Sequence, residues 1–214
     1  MALSLPGLAQ AIIITPDSVT SDGNTVTTAD NLINGSGLSG AGSILSQTHS
    51  DTFGSGGGTN WKGSASNAFP LPVTLTFAFS NTSLLDQIHL WNYSDPFGFR
   101  VARDVTRFNL ALSADGVNYT EVLSNANLSA SGVNAEAAQT FSFAATSAVS
   151  AQLTVVAQQN FSGFQIGGGP SGFEVGLGEV RFGGMAVPEP ATAALLLSGV
   201  VGVAAGRRRA RRIG

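Results

Sequence analysis

The chain has 214 residues, a formal net charge of −3, no cysteine and 11% charged residues, and its length and 43% hydrophobic content fit one ordinary domain with appendages. Residues 187–214 carry five arginines and one glutamate, so the sequence before Val187 sums to −7. That acidic balance excludes nucleic acid as a partner, because phosphate binding needs clustered Lys and Arg, and the lack of cysteine excludes a disulfide framework or a thiolate metal site.

The N-terminal stretch "MALSLPGLAQAIIITPDSV" places Ala9-Gln10-Ala11, a small-x-small signal-peptidase site, after a short apolar run. It predicts a truncated signal-peptide remnant over residues 1–11, with signal peptidase as processing partner, the true start upstream and the mature chain beginning near Ile12. The alternative is that Ala2 to Ile14 forms the first core strand. From residue 12 to 184 the hydrophobic period is two. "VTLTFAF" puts Val73, Leu75, Phe77 and Phe79 on one face, and "DQIHLW" sets Ile88 and Leu90 against His89 and Trp91. "RFNLALS" aligns Phe108, Leu110 and Leu112, "TFSF" aligns Phe141 and Phe143, and "QLTVVAQ" and "FEVGLGEVRF" supply two more runs. Turn markers such as "SADGVN", "SDPFG" and "IGGGPSG" separate them, and no helical stripe precedes residue 191. Many short strands with polar turns predict an all-β protein built as an antiparallel β-sandwich.

Residues 85–122, "LDQIHLWNYSDPFGFRVARDVTRFNLALSADGVNYTEV", resemble the central part of discoidin-type domains, the coagulation-factor C-type, galactose-binding-like family. Upstream, "ADNLINGSGLSG" resembles their early Asn/Asp-Gly loop, and downstream "GLGEVRF" resembles their closing strand, in family order. The resemblance implies a jelly-roll-like antiparallel β-sandwich of about eight strands over residues 12–184. It also implies a calcium site shared by the early loop and the closing-strand glutamate, which here points to Asn31, Asn34, Ser36, Ser39 and Glu179. Calcium takes six to eight oxygen ligands, and Asn34 stands where the family usually has Asp, one negative charge fewer. Without metal, Asn34-Gly35 reads as a turn capped by its own side chain and Glu179 as a surface carboxylate.

Family sugar sites are made by loops at one end of the sandwich, and sugar recognition needs an aromatic platform with polar neighbours. Trp61, His89, Trp91, Phe97, Phe99 and Arg100 are the candidates, the last three within the loop-like "SDPFGFR". The competing reading packs Trp61 and Trp91 against loops and pairs Arg100 or Arg103 with Asp95 or Asp104. For catalysis the sequence offers little: two histidines, no cysteine, no GxSxG elbow, and acids scattered mostly in turns. "GSGGGTNWKG" lacks the Lys-Ser/Thr ending of a phosphate loop. The expectation is a non-enzymatic protein, with a glycan hydrolase or lyase, or a matrix protein without ligand, as alternatives.

Residues 191–206 form an apolar stretch followed by Arg207, Arg208, Arg209, Arg211 and Arg212. As a single C-terminal hydrophobic helix it would be roughly 24 Å long against a hydrocarbon core of ~30 Å, short for a permanent span, with its basic end on the cytoplasmic side. The order Val187-Pro188-Glu189-Pro190, apolar helix, Arg cluster over residues 187–212 resembles the PEP-CTERM sorting signal of Gram-negative bacteria. The resemblance implies recognition by an exosortase, a membrane cysteine transpeptidase, and cleavage near the Pro-Glu-Pro. The membrane is then a partner only through this helix before cleavage. The destination is the cell surface or the exopolysaccharide matrix, where adhesion to an extracellular polysaccharide is the expected task.

Overall fold

A computed structural model describes residues 12–23, 25–51, 58–63, 71–94, 103–130, 134–159 and 175–186. The remnant at 1–11, the sorting residues Val187, Pro188, Glu189, Pro190, Arg207, Arg208 and Arg209, and the helix expected at 191–206 lie outside them. The strands are β1 (Ile12–Ile14), β2 (Ser18–Ser21), β3 (Leu38–Ser39), β4 (Thr48–His49), β5 (Trp61–Gly63), β6 (Val73–Asn92), β7 (Val105–Ser113), β8 (Thr120–Asn127), β9 (Glu136–Ala137), β10 (Gln139–Gln158) and β11 (Val175–Ala186). Two short 3-10 turns, Ala29–Leu32 and Ile44–Ser46, interrupt the early segment, and the described residues contain no α-helix.

The main sheet has eight antiparallel strands in the path β1-β11-β6-β10-β7-β8, with β2 added to β6 and β5 added to β11. Two 20-residue strands, β6 and β10, close it into a sandwich because each takes part in both layers. The first half of β6, from Val73 to Ala78, pairs with β10 from Val155 back to Ser150 and with β2. The second half, from Ser83 to Leu90, pairs with β10 from Ala148 back to Gln139, and its outer edge takes β11. Between the halves the register jumps from Ala78/Ser150 to Ser83/Ala148, so the two strands turn the corner together. "VTLTFAF" and "DQIHLW", read as separate runs in the sequence, are therefore the two arms of one bent strand. Its elbow is the polar stretch Ser80 to Thr82.

The core lies between the arms. Val73, Leu75, Phe77 and Phe79 of one arm are buried as the alternation requires, facing Ile88, Leu90, Val180 and Phe182 of the other layer. Phe182 meets Phe77 and Phe79 edge-to-face at centroid distances of 5.7 and 5.1 Å, and Phe108 meets Phe141 at 4.9 Å. Such pairs add about 0.5–1.5 kcal/mol each beyond the area they bury.

The arm that ends at Asn92 is buried on both faces, which its alternating pattern does not announce. The second face, carrying His89, Trp91, Glu179 and Arg181, is covered by the excursion between β2 and β5. Trp91 Nε1 donates to the Gln47 carbonyl at 2.9 Å, and the Gly35 N–H donates to Glu179 Oε1 at 3.3 Å. A Cβ on Gly178 would stand 2.6 Å from His49 Nδ1, so only glycine lets the excursion sit this close. The small sheet β3-β4-β9 ties this cover to residues 136–137.

Candidate functional site

Because β6 and β10 are bent double, both ends of each lie at the same end of the sandwich. There Val73 neighbours Val155, Gln158 neighbours Val105, and Gln159 N–H donates to the Asp104 carbonyl. Leu177 pairs with Asn92, Val175 pairs with Gly63, and Asp104 bridges to Gly176. The strand ends that border residues 52–57, 64–70, 95–102 and 160–174 thus converge on one end, the place where the discoidin-type resemblance expects ligand loops.

Buried amides and hydroxyls organise that end. Asn92 Oδ1 accepts from the N–H groups of Tyr93 and Val105 at 2.9 and 3.0 Å, and its Nδ2 donates to the carbonyls of Val105 and Ser129. One fully buried side chain therefore fastens the end of β6 to the start of β7 across the segment that holds Phe97, Phe99 and Arg100. Asn60 Nδ2 donates to the Ser94 carbonyl while its Oδ1 accepts from Ser94, and its own carbonyl accepts from Thr27 and Asn31. On the far side of that segment Arg103 donates to the Tyr93 hydroxyl at 2.9 Å and stands 5.6 Å over its ring. A buried polar group with partners costs little and fixes geometry, so the roots of residues 95–102 are rigidly held.

The expected sugar platform divides. Phe97, Phe99 and Arg100 lie outside the described residues. Trp61 and Trp91 have no exposed surface and His89 has 1%, so none of the three presents a face to a ligand in this structure. Trp61 belongs to the core, Trp91 is roofed by Gln47, and His89 Nδ1 bonds the Thr140 hydroxyl at 2.8 Å. The packing reading of the tryptophans is the one the structure supports, for the reason just given: the excursion covers what would otherwise be an outer face.

The residues expected at a metal are brought to one corner, Ser39 excepted. Asn31 is buried and spends its Nδ2 on the carbonyls of Gly58 and Asn60 at 3.1 and 3.0 Å. Asn34 Oδ1 accepts from the Ser36 N–H at 2.7 Å, the capped turn that was the alternative for Asn34-Gly35. Ser39 is exposed on β3. Glu179 is no surface carboxylate: it is fully buried, and its Oε1 is taken by the Arg181 guanidinium and the Gly35 N–H. Burial pushes the Glu179 carboxyl up to about 7, against the lowering by the Arg181 charge and the Gly35 N–H. Among the described residues no group of three His, Asp or Glu side chains could hold a metal ion. With its carboxylate engaged and a guanidinium beside it, this donor set does not fit calcium.

Arg181 was not singled out in the sequence, although the signal was present. Two residues apart in a strand, Glu179 and Arg181 of "GEVRF" must share a face. Asn60 and Asn92 were also passed over, because a polar side chain in a Ser/Asn-rich chain carries no sequence mark of burial. A second buried ion pair, Lys62 with Asp51 at 3.8 Å, lies at the loop end, where Asp51 Oδ1 also accepts from the Thr59 N–H.

Comparison with known proteins bears on the tail and on the fold. Residues 186–212 match the PEP-CTERM protein-sorting motif, which indicates an exported protein. No curated protein matches the chain. Among solved structures, a family 32 carbohydrate-binding module (CBM32-5) of a Clostridium perfringens GH89 protein, in complex with GalNAc-β-1,3-galactose, is similar with a TM-score of 0.52 and 16% identity. The match covers 77% of this chain and 93% of that one. The family 32 module of NanJ from the same organism, in complex with galactose, gives 0.51 and 12%, covering 78% and 92%. A third C. perfringens module, CBM32-3 of a family 31 glycoside hydrolase, gives 0.52 and 18%, covering 80% and 90%. The similarity is one of fold, and it agrees with the sandwich expected from residues 85–122.

Proposed function

We propose that this chain is an exported, non-catalytic carbohydrate-binding protein that its C-terminal motif delivers to the cell surface or the surrounding polysaccharide matrix. The observation that carries this reading is the convergence of the strand ends bordering four connecting segments on one end of a sandwich whose structural neighbours include two sugar-bound modules. Phe97, Phe99 and Arg100 supply the aromatic and cationic groups for a sugar ring, on a segment whose roots Asn92, Ser94 and Arg103 hold in place. The acidic body favours neutral rather than anionic glycans. Exosortase, signal peptidase and an extracellular polysaccharide are the partners of this reading.

A glycan array carrying galactose- and N-acetylgalactosamine-terminated sugars tests it. The purified protein is expected to bind a subset, and the pair Phe97→Ala, Arg100→Ala to lose at least about tenfold in affinity. Full binding by the double variant removes this segment from the site, and no binding by the unaltered protein removes the function.

A further inference from the structure

We infer that the Arg181 guanidinium is the built-in cation of the corner between the early loop and the closing strand, and that it takes the place a divalent metal has in the family this chain resembles. The inference is independent of what the loop end binds. Its first support is position. Arg181 lies two residues after Glu179 on β11, so both side chains reach the same face, and both are almost wholly removed from solvent. The face they reach is the one the early loop covers: Gly35 donates its N–H to Glu179, and a Cβ on Gly35 would stand 3.8 Å from Arg181 Nη2.

The second support is the use of donors. A metal at this corner would need the Glu179 carboxylate, the Asn34 and Asn31 carbonyl oxygens and serine hydroxyls. Glu179 Oε1 is already bound by Arg181 and Gly35, and Asn34 Oδ1 by the Ser36 N–H. Asn31 Oδ1 accepts from Asn34 Nδ2 at 3.4 Å. Only Glu179 Oε2 and Ser36 Oγ are buried there without a hydrogen-bond partner among the described residues. Two oxygens are far short of a calcium shell of six to eight.

Charge is the third. One carboxylate and one guanidinium already neutralise each other in a medium of low dielectric, and a divalent ion beside Arg181 would add two uncompensated positive charges. The guanidinium meets the role by directed bonds instead, from Nη1 to the Glu179 carboxylate and to the Val180 carbonyl at 2.9 Å. Early loop and closing strand are thereby joined without metal.

The test is thermal melting of the full chain at about pH 8, above the range in which Glu179 titrates, in a chelator or in millimolar CaCl2. The melting temperature of the unaltered protein is expected to be the same in both. Arg181→Met, which leaves Glu179 buried and uncompensated, is expected to melt roughly 10 °C lower in chelator, with CaCl2 recovering part of the loss. The double variant Glu179→Gln, Arg181→Met removes both charges and is expected to lose less than the single one and to ignore CaCl2. It keeps the test alive if the single variant does not fold. A calcium-induced rise in the unaltered protein overturns the inference. So does an Arg181→Met chain that melts with the original, or a double variant that is worse than the single one.

Discussion

His49 has no exposed surface: Gly37 and Gly178 press on its ring, and its Nδ1 bonds the Ser94 hydroxyl at 3.0 Å. Burial, opposed by neighbouring hydrogen bonds and by the Asp51 charge, lowers its pKa from 6.5 to about 4. A group whose folded pKa is depressed contributes stability above its unfolded pKa and loses it as the pH falls through the folded value. The window for His49 therefore runs from 6.5 down through 4 and amounts to about 3 kcal/mol once fully crossed. His89 is shifted the same way by burial, whereas Glu179, raised by burial, contributes below 4.5 and loses its contribution as the pH rises through 7. The isolating measurement is the difference between the original chain and His49→Asn in melts taken across this acid window. The gap between them is expected to narrow with falling pH, and a constant gap would show that His49 does not titrate on unfolding. None of this was legible beforehand, because a histidine in a strand reads the same buried or exposed until something is known to cover it.

At the level of elements, the alternating runs were legible because one face of each strand meets a core, and the sequence period of two records that contact. The turn "SADGVN" was legible for a related reason: its chemistry is local. Asp115 Oδ1 accepts from the N–H groups of Val117 and Asn118 and from the Ser113 hydroxyl, which holds its carboxyl below the usual carboxylate range. The elbow of β6 was not legible. Ser80 to Thr82 has the composition of a turn, yet the chain passes through it as strand, because β10 bends alongside and keeps the backbone paired on either side. Gly184 marks the matching irregularity on β11, where the register against β6 shifts. A Cβ there would stand 2.2 Å from the Leu84 carbonyl oxygen and 2.9 Å from Leu85 Cα, both backbone atoms that cannot swing away. Gly184→Ala is accordingly expected to cost about 1–3 kcal/mol by prising β11 from β6, read as a lower urea midpoint. An unchanged midpoint would mean that the elbow yields freely.

For the molecule as a whole, the sequence stated the sandwich and the sorting tail and left the binding surface open. Motif, order and composition are local properties, while the choice between a presented tryptophan and a covered one depends on where residues 29–51 are laid. Those residues bury Trp91, His89, Glu179 and Arg181 together, a decision taken by long-range packing. The tail can be tested on its own. Replacing Pro188, Glu189 and Pro190 by Ala is expected to leave an uncleaved form in the membrane fraction of an exosortase-bearing host, and normal release would remove that role from the motif. The bent strands add one further consequence. β11 starts at the loop end, beside Gly63 and Asn92, and finishes beside Ser83 at the elbow of β6, where Ile12 of β1 also lies, next to Gly184. The chain therefore departs toward its sorting motif from the pole opposite the loops. While the tail is still embedded in a bilayer, the body stands on its elbow with the loop pole turned outward, so the orientation needed to reach a glycan is set by the path of β11 before any ligand is met.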